Sequence, residues 1–174
     1  MKSDKIDMNH VKEITNCIAQ MCHKKMTDSG FNELKIEYDR WQDNPYFYIV
    51  DILRDRMLPL LSIVCIYNTG SEMRIIVYAA DLQTTAESKN NDMESKAIEY
   101  LVPPSLSHND KYDVFHQECL TLGMKPIAIF SIIGELLKIE SSSEVISCET
   151  ATGIIISSLN NSLVIQQYLS SKSF

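Results

Sequence analysis

Arginine is scarce in this sequence, and no run of basic residues occurs along it. The chain has 16 lysines and arginines against 23 acidic residues, which gives a formal net charge of -7. Only Arg40, Arg54, Arg56 and Arg74 are arginines. A protein that binds a phosphate backbone directly needs a basic face. We therefore expect no direct nucleic-acid binding, and the acidic balance favours solubility and basic partners.

Long apolar runs and a secretory signal are also missing. The longest apolar stretches, Leu58–Tyr67 and Ile127–Ile139, are shorter than the roughly 20 residues that span a bilayer as a helix. Met1–Met8 alternates in charge and has no apolar signal core. The five cysteines are odd in number and form no CxxC pair, unlike a secreted disulfide framework. The sequence therefore predicts a cytoplasmic protein with reduced thiols and no transmembrane segment.

Motifs that bind nucleotides or metals are missing as well. The five glycines are scattered singly, so no phosphate-binding or dinucleotide-binding loop can be built from them. Cys17, Cys22 and His23 lie close together in the sequence, but on a helix the two cysteines would point about 140° apart. Structural zinc usually needs closer pairs of cysteines. We expect no cofactor and no metal site.

The first half of the chain predicts one helix followed by four strands. Val11, Ile14, Ile18 and Met21 recur at helical spacing, and Ser29-Gly30 is a typical helix end. Asp7 or Asn9 can cap the beginning of this helix. The period then changes to two. The predicted strands are Leu34–Tyr38, Tyr46–Ile52, Leu60–Tyr67 and Met73–Ala80, with a hairpin turn at 68–71. Short connections favour an antiparallel meander.

The second half predicts mainly helices. Asp81–Ser95 is polar and without periodicity, which indicates an exposed loop. A helix is expected from Asp110 to about Leu122, and a buried helix over Ile127–Ile139, with Pro126 in its first turn. The last third fits either strands over Glu144–Cys148 and Ile154–Leu159 or a helix, and we favour the helix. At 174 residues, the chain is interpreted as a single α+β domain, 1–174, with its helices packed on one face of the sheet.

Catalytic chemistry has one candidate pair. His116 and Cys119 lie three residues apart on a predicted helix, so an imidazole could activate the thiol. However, Cys119 falls near the end of that helix, where the helix dipole does not lower a thiol pKa. Asp51 interrupts an apolar strand, and pairing with Arg54 or Arg74 is the expected explanation. The favoured interpretation is that the protein is not an enzyme, with a small cysteine-dependent enzyme as the alternative.

A cluster of aromatic residues points instead to recognition of another protein. Trp41, Tyr46, Phe47 and Tyr48 surround one turn and the strand after it. Because Trp and Tyr are preferred interface anchors, Trp41, Tyr46 and Tyr48 are the candidate partner-binding residues. The predicted function is a non-enzymatic protein–protein interaction module acting as an adaptor, chaperone or assembly subunit, with a homodimer as one expected assembly. A viral structural or host-modulating protein is a further alternative.

The predicted order of elements is similar to two known families. A helix, the four strands from Leu34 to Ala80 and then helices resemble the RWD and ubiquitin-conjugating-like fold, whose members often serve as docking modules. Pro103-Pro104 lies roughly where that family has a proline-rich turn, but the family's tyrosine-proline motif is absent. Cys119 and Cys148 also lack the asparagine motif that precedes the catalytic cysteine of active conjugating enzymes. With strands in the last third, the order instead resembles class I type III secretion chaperones, which are small, acidic and dimeric.

Overall fold

The computed structural model describes residues 6–40, 42, 47–54, 59–80 and 124–160. In chain order the elements are α1 (Met8–Asp28), β1 (Lys35–Glu37), β2 (Phe47–Leu53), β3 (Pro59–Thr69), β4 (Glu72–Ala80), β5 (Met124–Ile133), β6 (Leu136–Ile139) and α2 (Cys148–Asn160). The protein therefore has an α+β fold, as predicted. The loop expected at 81–95 and the helix expected at 110–122 lie outside the described residues, and the single domain stays a prediction. No helix within the described ranges combines the length and the apolar character needed to cross a membrane.

Helix α1 forms where its spacing predicted it. The Asp7 side chain accepts a hydrogen bond from the Asn9 amide at 3.1 Å, which satisfies one of the first free N–H groups. At the other end, Gly30 has a φ of 112°, a value that residues with a side chain rarely adopt. Within the apolar stripe, Val11 and Ile18 are buried, and Ile14 and Met21 are half-buried. The predicted cap and end are thus both confirmed.

The six described strands form one antiparallel sheet in the order β1-β2-β3-β4-β5-β6. The four-strand meander predicted for the first half is confirmed as β1 to β4, but the sheet has six strands rather than four. Two described residues, Gly70 and Ser71, form the turn between β3 and β4, and Gly70 has a φ of 49°. All seven residues of β2 are buried, as expected for a strand whose two faces are both covered.

The prediction of a buried helix over Ile127–Ile139 was wrong. This segment forms most of β5 and all of β6, joined by a turn at Gly134 and Glu135. An apolar run that few polar residues interrupt is compatible with both a buried helix and a buried strand. The β-branched isoleucines in this run favour the strand. Pro126 lies beside a register shift in the β4–β5 pairing, where a missing amide donor is tolerated.

The preference for a helical C-terminal segment is confirmed for Cys148–Asn160. Ser147 begins α2 by accepting a hydrogen bond from the Thr150 amide at 3.1 Å. The alternative strands over Glu144–Cys148 and Ile154–Leu159 are absent, apart from an isolated bridge between Val145 and Lys138. Strands β5 and β6 stand where a helix was expected, and residues 81–123 lie outside the described residues, so the two family resemblances stay untested.

The two described helices pack on the same face of the sheet. One apolar cluster joins Ile18 of α1 and Ile155 of α2 to alternate strand residues such as Ile63 and Val77. We call this side the helix face. The opposite side, here called the outer face, carries a second buried cluster. Its members are Phe47, Ile49, Val64, Ile66, Ile76, Tyr78 and Met124.

Candidate functional site

Four aliphatic side chains on or beside the β5–β6 hairpin are more exposed to solvent than the other large apolar side chains of the described strands. They are Ile129 (41% exposed), Ile133 (37%), Leu136 (49%) and Val145 (53%). We call them the β5–β6 patch. Exposed aliphatic side chains that cluster on one surface are typical of binding sites, whereas isolated ones need no explanation.

Strand pairing places the patch on the outer face. Ile129 is the register partner of Ile76, which belongs to the outer cluster. Ile133 is four residues further along the same strand and therefore points to the same side. It pairs directly with Leu136, and Val145 bridges to Lys138, two residues beyond Leu136. The patch is therefore one surface on the side of the sheet away from α1 and α2.

The intervening residues of the hairpin hold this surface in place. Phe130, Ile132 and Leu137 alternate with the patch and are 1%, 0% and 5% exposed in the helix-face cluster. Gly134, with a φ of 61°, allows the tight turn between the strands. The patch therefore stands on strands that are anchored from behind.

The free edge of β6 is partly paired with the segment that follows this strand, around residues 144–146. The Ile139 amide donates to the Glu144 carbonyl at 2.9 Å, and the Ile146 amide donates to the Leu137 carbonyl at 2.9 Å. These bonds use backbone groups that an added strand would need. A partner at this hairpin would therefore bind chiefly through side chains on the outer face.

Polar residues surround the patch, with a surplus of acid. Arg74 lies on the outer face of β4 and forms a half-exposed ion pair with Glu140, at 3.4 Å. Lys138 is half-buried, and it lies between its two pairing partners, Ser131 of β5 and Val145. Glutamates also lie on or next to the strands that carry the patch: Glu72, Glu135, Glu140 and Glu144. An apolar centre with a polar rim is the usual composition of a protein-binding surface.

The aromatic candidates have a different placement. Tyr48 is 2% exposed and belongs to the helix-face cluster, where its hydroxyl donates to Asn16 Oδ1 at 2.6 Å. Burial raises the pKa of Tyr48 to about 12, and Lys12 Nζ lies 5.3 Å from its ring centre. The ring thus joins α1 to the sheet instead of lying on the surface. Trp41 and Tyr46 lie outside the described residues, so partner binding by the aromatic cluster stays a prediction.

Asp51 has a partner that the sequence did not suggest. Its Oδ2 lies 3.2 Å from Nη1 of Arg40, not beside Arg54 or Arg74. Its Oδ1 accepts a hydrogen bond from Ser62 Oγ at 2.6 Å. Burial raises the pKa of Asp51, although the Arg40 guanidinium and the Ser62 hydroxyl act in the opposite direction. Because all three side chains are buried, this network supports the fold and is closed to a substrate.

The two buried thiols, Cys22 and Cys65, are not activated nucleophiles. Burial raises the pKa of Cys22 and of Cys65 to about 12, which keeps both protonated near neutral pH. His23 Nε2 contacts the Leu34 carbonyl at 3.0 Å. Among the described residues, no three His, Cys, Asp or Glu side chains come together as a metal site requires. His116 and Cys119 lie outside these residues, so the cysteine-enzyme alternative stays untested.

The β5–β6 patch was not predicted from the sequence, because the Ile127–Ile139 segment was assigned to a buried helix. One signal was available, since Gly134 interrupts the predicted helix where glycine disfavours helical structure. No protein-family model matches the chain, and no curated protein or solved structure shows significant similarity to it.

Proposed function

We propose that this protein is a non-enzymatic recognition module that binds another protein through the β5–β6 patch. The observation that carries this proposal is the exposure of four aliphatic side chains on and beside one anchored hairpin. Each of them is 37–53% exposed, while the neighbouring strand residues Phe130, Ile132 and Leu137 are almost fully buried. Covering such side chains with a partner contributes favourable free energy through the hydrophobic effect.

The charges around the patch favour a particular kind of partner. Glutamates outnumber cations on and beside its strands, and the whole chain carries a net charge of -7. A partner segment with apolar side chains flanked by lysine or arginine would complement this rim. Two copies of the same acidic rim facing each other would repel, so a different protein fits this patch better than a second copy of the chain.

The proposed setting is the cytoplasm. The four cysteines within the described residues are free thiols: Cys17, Cys22, Cys65 and Cys148. Free thiols in this number are usual in reducing compartments. Roles as an adaptor, a chaperone or an assembly subunit all require this same binding surface, and the identity of the partner would distinguish them.

The test compares the patch with an equally exposed residue elsewhere. The partner is recovered from source cells with the tagged full chain, then purified, and its affinity is measured by calorimetry. We expect Leu136→Ser/Val145→Ser to weaken binding by about tenfold or more, because hot-spot contacts are lost. Tyr38→Ser is the control, since Tyr38 is 39% exposed but contacts Gln20 of α1 instead of the patch.

Two results would contradict the proposal. One is an unchanged affinity for the partner in the double variant, while the variant folds normally by circular dichroism. The other is a homodimer in sedimentation experiments that the double variant dissociates, which would assign the patch to a second copy of the chain.

A further inference from the structure

Two cysteines from the two described helices meet where α1 packs against α2. Cys148 is the first residue of α2, and its Sγ lies 3.9 Å from the backbone oxygen of Ile14 in α1. Cys17 follows Ile14 by three residues, so its side chain is one turn further on the same side of α1. Burial raises the pKa of Cys148 to about 11, and the neighbouring Cys17 side chain acts in the same direction.

A second contact fixes the position of one helix along the other. Thr152 is one turn beyond Cys148 in α2, and its hydroxyl lies 3.8 Å from Met21 Sδ. Met21 is one turn beyond Cys17 in α1, and its Sδ lies 3.9 Å from Cys17 Sγ. Since Cys17 and Cys148 each lie one turn before this contact on their own helix, their side chains lie near each other where α1 packs against α2.

Solvent reaches these thiols unequally. Cys17 is exposed and Cys148 is partly buried, whereas Cys22 and Cys65 are buried. A small oxidant therefore meets Cys17 first, with Cys148 beside it. We propose that Cys17 and Cys148 form a redox-modification site that a hydroperoxide converts into a disulfide between α1 and α2.

The chemistry consists of two displacements. The Cys17 thiolate attacks one oxygen of the hydroperoxide and the O–O bond breaks, so that Cys17 becomes a sulfenic acid and an alkoxide or hydroxide leaves. The leaving group takes up from water the proton that the Cys17 thiol released on ionisation, and departs as an alcohol or as water. The sulfur of Cys148 then attacks Cys17 Sγ, the S–O bond breaks, and the departing hydroxide takes the Cys148 proton to form water. Two thiols are oxidised and one hydroperoxide is reduced, and an added dithiol reduces the disulfide back to two thiols while becoming oxidised itself.

The cross-link joins two residues that are far apart in the sequence. The six described strands lie between them, so the disulfide closes a long loop. Closing such a loop restricts the unfolded chain, and we expect the oxidised protein to melt about 5 to 10 °C higher than the reduced protein. The bond lies on the helix face, away from the β5–β6 patch, so this inference does not depend on the proposed function.

The experiment exposes the reduced full chain to hydrogen peroxide and measures its intact mass and its peptides without reduction. The expected result is a loss of about 2 Da and a linked peptide containing Cys17 and Cys148, both reversed by dithiothreitol. Cys17→Ser and Cys148→Ser should each prevent the link. Cys119→Ser, which removes a different thiol, should retain it.

Either serine variant is sufficient if the other fails to fold, because each removes one half of the bond. Circular dichroism of the reduced variants verifies their folding. Oxygen addition at Cys17 without a link, a link to another cysteine or to a second chain, or no reaction at all would overturn the proposal.

Discussion

The Nη1 atom of Arg40 lies 3.2 Å from Oδ2 of Asp51, and both side chains are almost completely buried. The backbone supports the same arrangement, since the Arg40 amide donates to the Ile49 carbonyl at 3.1 Å. The Ser62 hydroxyl completes the network by donating to the second oxygen of Asp51. The residues after β1 are thereby tied to β2 and β3 on the outer face of the sheet.

Removing one member of this ion pair should destabilise the protein strongly. Asp51→Asn leaves the Arg40 charge buried without its carboxylate, and we expect the free energy of unfolding to fall by about 3–5 kcal/mol. Arg40→Met/Asp51→Leu removes both charges and should cost clearly less than the single substitution. Urea denaturation of the wild type and the two variants, monitored by circular dichroism, measures the differences in the free energy of unfolding.

Glu140→Gln provides the control for this comparison. It disrupts the half-exposed pair between Arg74 and Glu140, which should contribute less than about 1 kcal/mol. An Asp51→Asn variant no less stable than Glu140→Gln would mean that the buried pair does not contribute as its geometry indicates.

The elements that the sequence predicted well are those whose signals are local. Helix α1 has a complete stripe with Asp7 at one end and Gly30 at the other, and the strands β1 to β4 alternate or are bounded by turn residues. The Arg40–Asp51 pair could not be derived in this way. It depends on how the chain after β1 returns to β2, which is a tertiary relationship that spacing along the chain does not encode.

The β5–β6 patch was missed for a related reason. Ile127–Ile139 is apolar nearly throughout, so neither the helical nor the strand period stands out. Pairing with β4 decides the conformation, and only then do Ile129 and Phe130 face opposite sides. Of the predicted partner-binding residues, Tyr48 is buried because alternation along β2 directs its ring towards α1.

The turn glycine of the β5–β6 hairpin should be sensitive to substitution. Gly134 has a φ of 61°, so Gly134→Ala forces a side chain into a left-handed conformation and should destabilise the protein by about 1–2 kcal/mol. Gly153 is the matched control, since it lies inside α2 with no atom within 4 Å of an added Cβ. Gly153→Ala should stabilise the protein by about 0.5–1 kcal/mol. Thermal unfolding measures whether Gly134→Ala lowers the stability and Gly153→Ala raises it. A change in the same direction in both variants would contradict the turn assignment.

Alkaline pH should reduce stability through the buried thiols. Cys65 has its pKa raised by burial from 9.0 to about 12, so the folded protein retains a proton that the unfolded chain has already lost. The free energy of unfolding therefore falls as the pH rises above the unfolded value and continues to fall up to the folded value. From about pH 8 to pH 11 the loss due to Cys65 should be about 2–3 kcal/mol.

Cys65→Ala isolates this effect from the other groups that titrate in the same range. The variant is less stable at every pH, but its stability should decline less steeply between the two pH values. Parallel curves for the variant and the wild type, measured by urea denaturation, would show that Cys65 is not the group responsible.

Leu136 and Leu137 allow the assignment of β6 to be tested with two identical side chains. They are neighbours in one strand, yet Leu136 is 49% exposed in the patch while Leu137 is 5% exposed in the helix-face cluster. Leu137→Ala removes buried methyl groups and should lower the free energy of unfolding by about 2–3 kcal/mol. Leu136→Ala shortens a side chain that is already exposed to solvent, and it should lower the free energy of unfolding by less than about 1 kcal/mol. Urea denaturation of the two variants measures the contrast, and similar losses would mean that the two leucines do not lie on opposite faces of the sheet. In that case Leu136 would belong to the core, and the proposed binding surface would lose its most exposed β-strand residue.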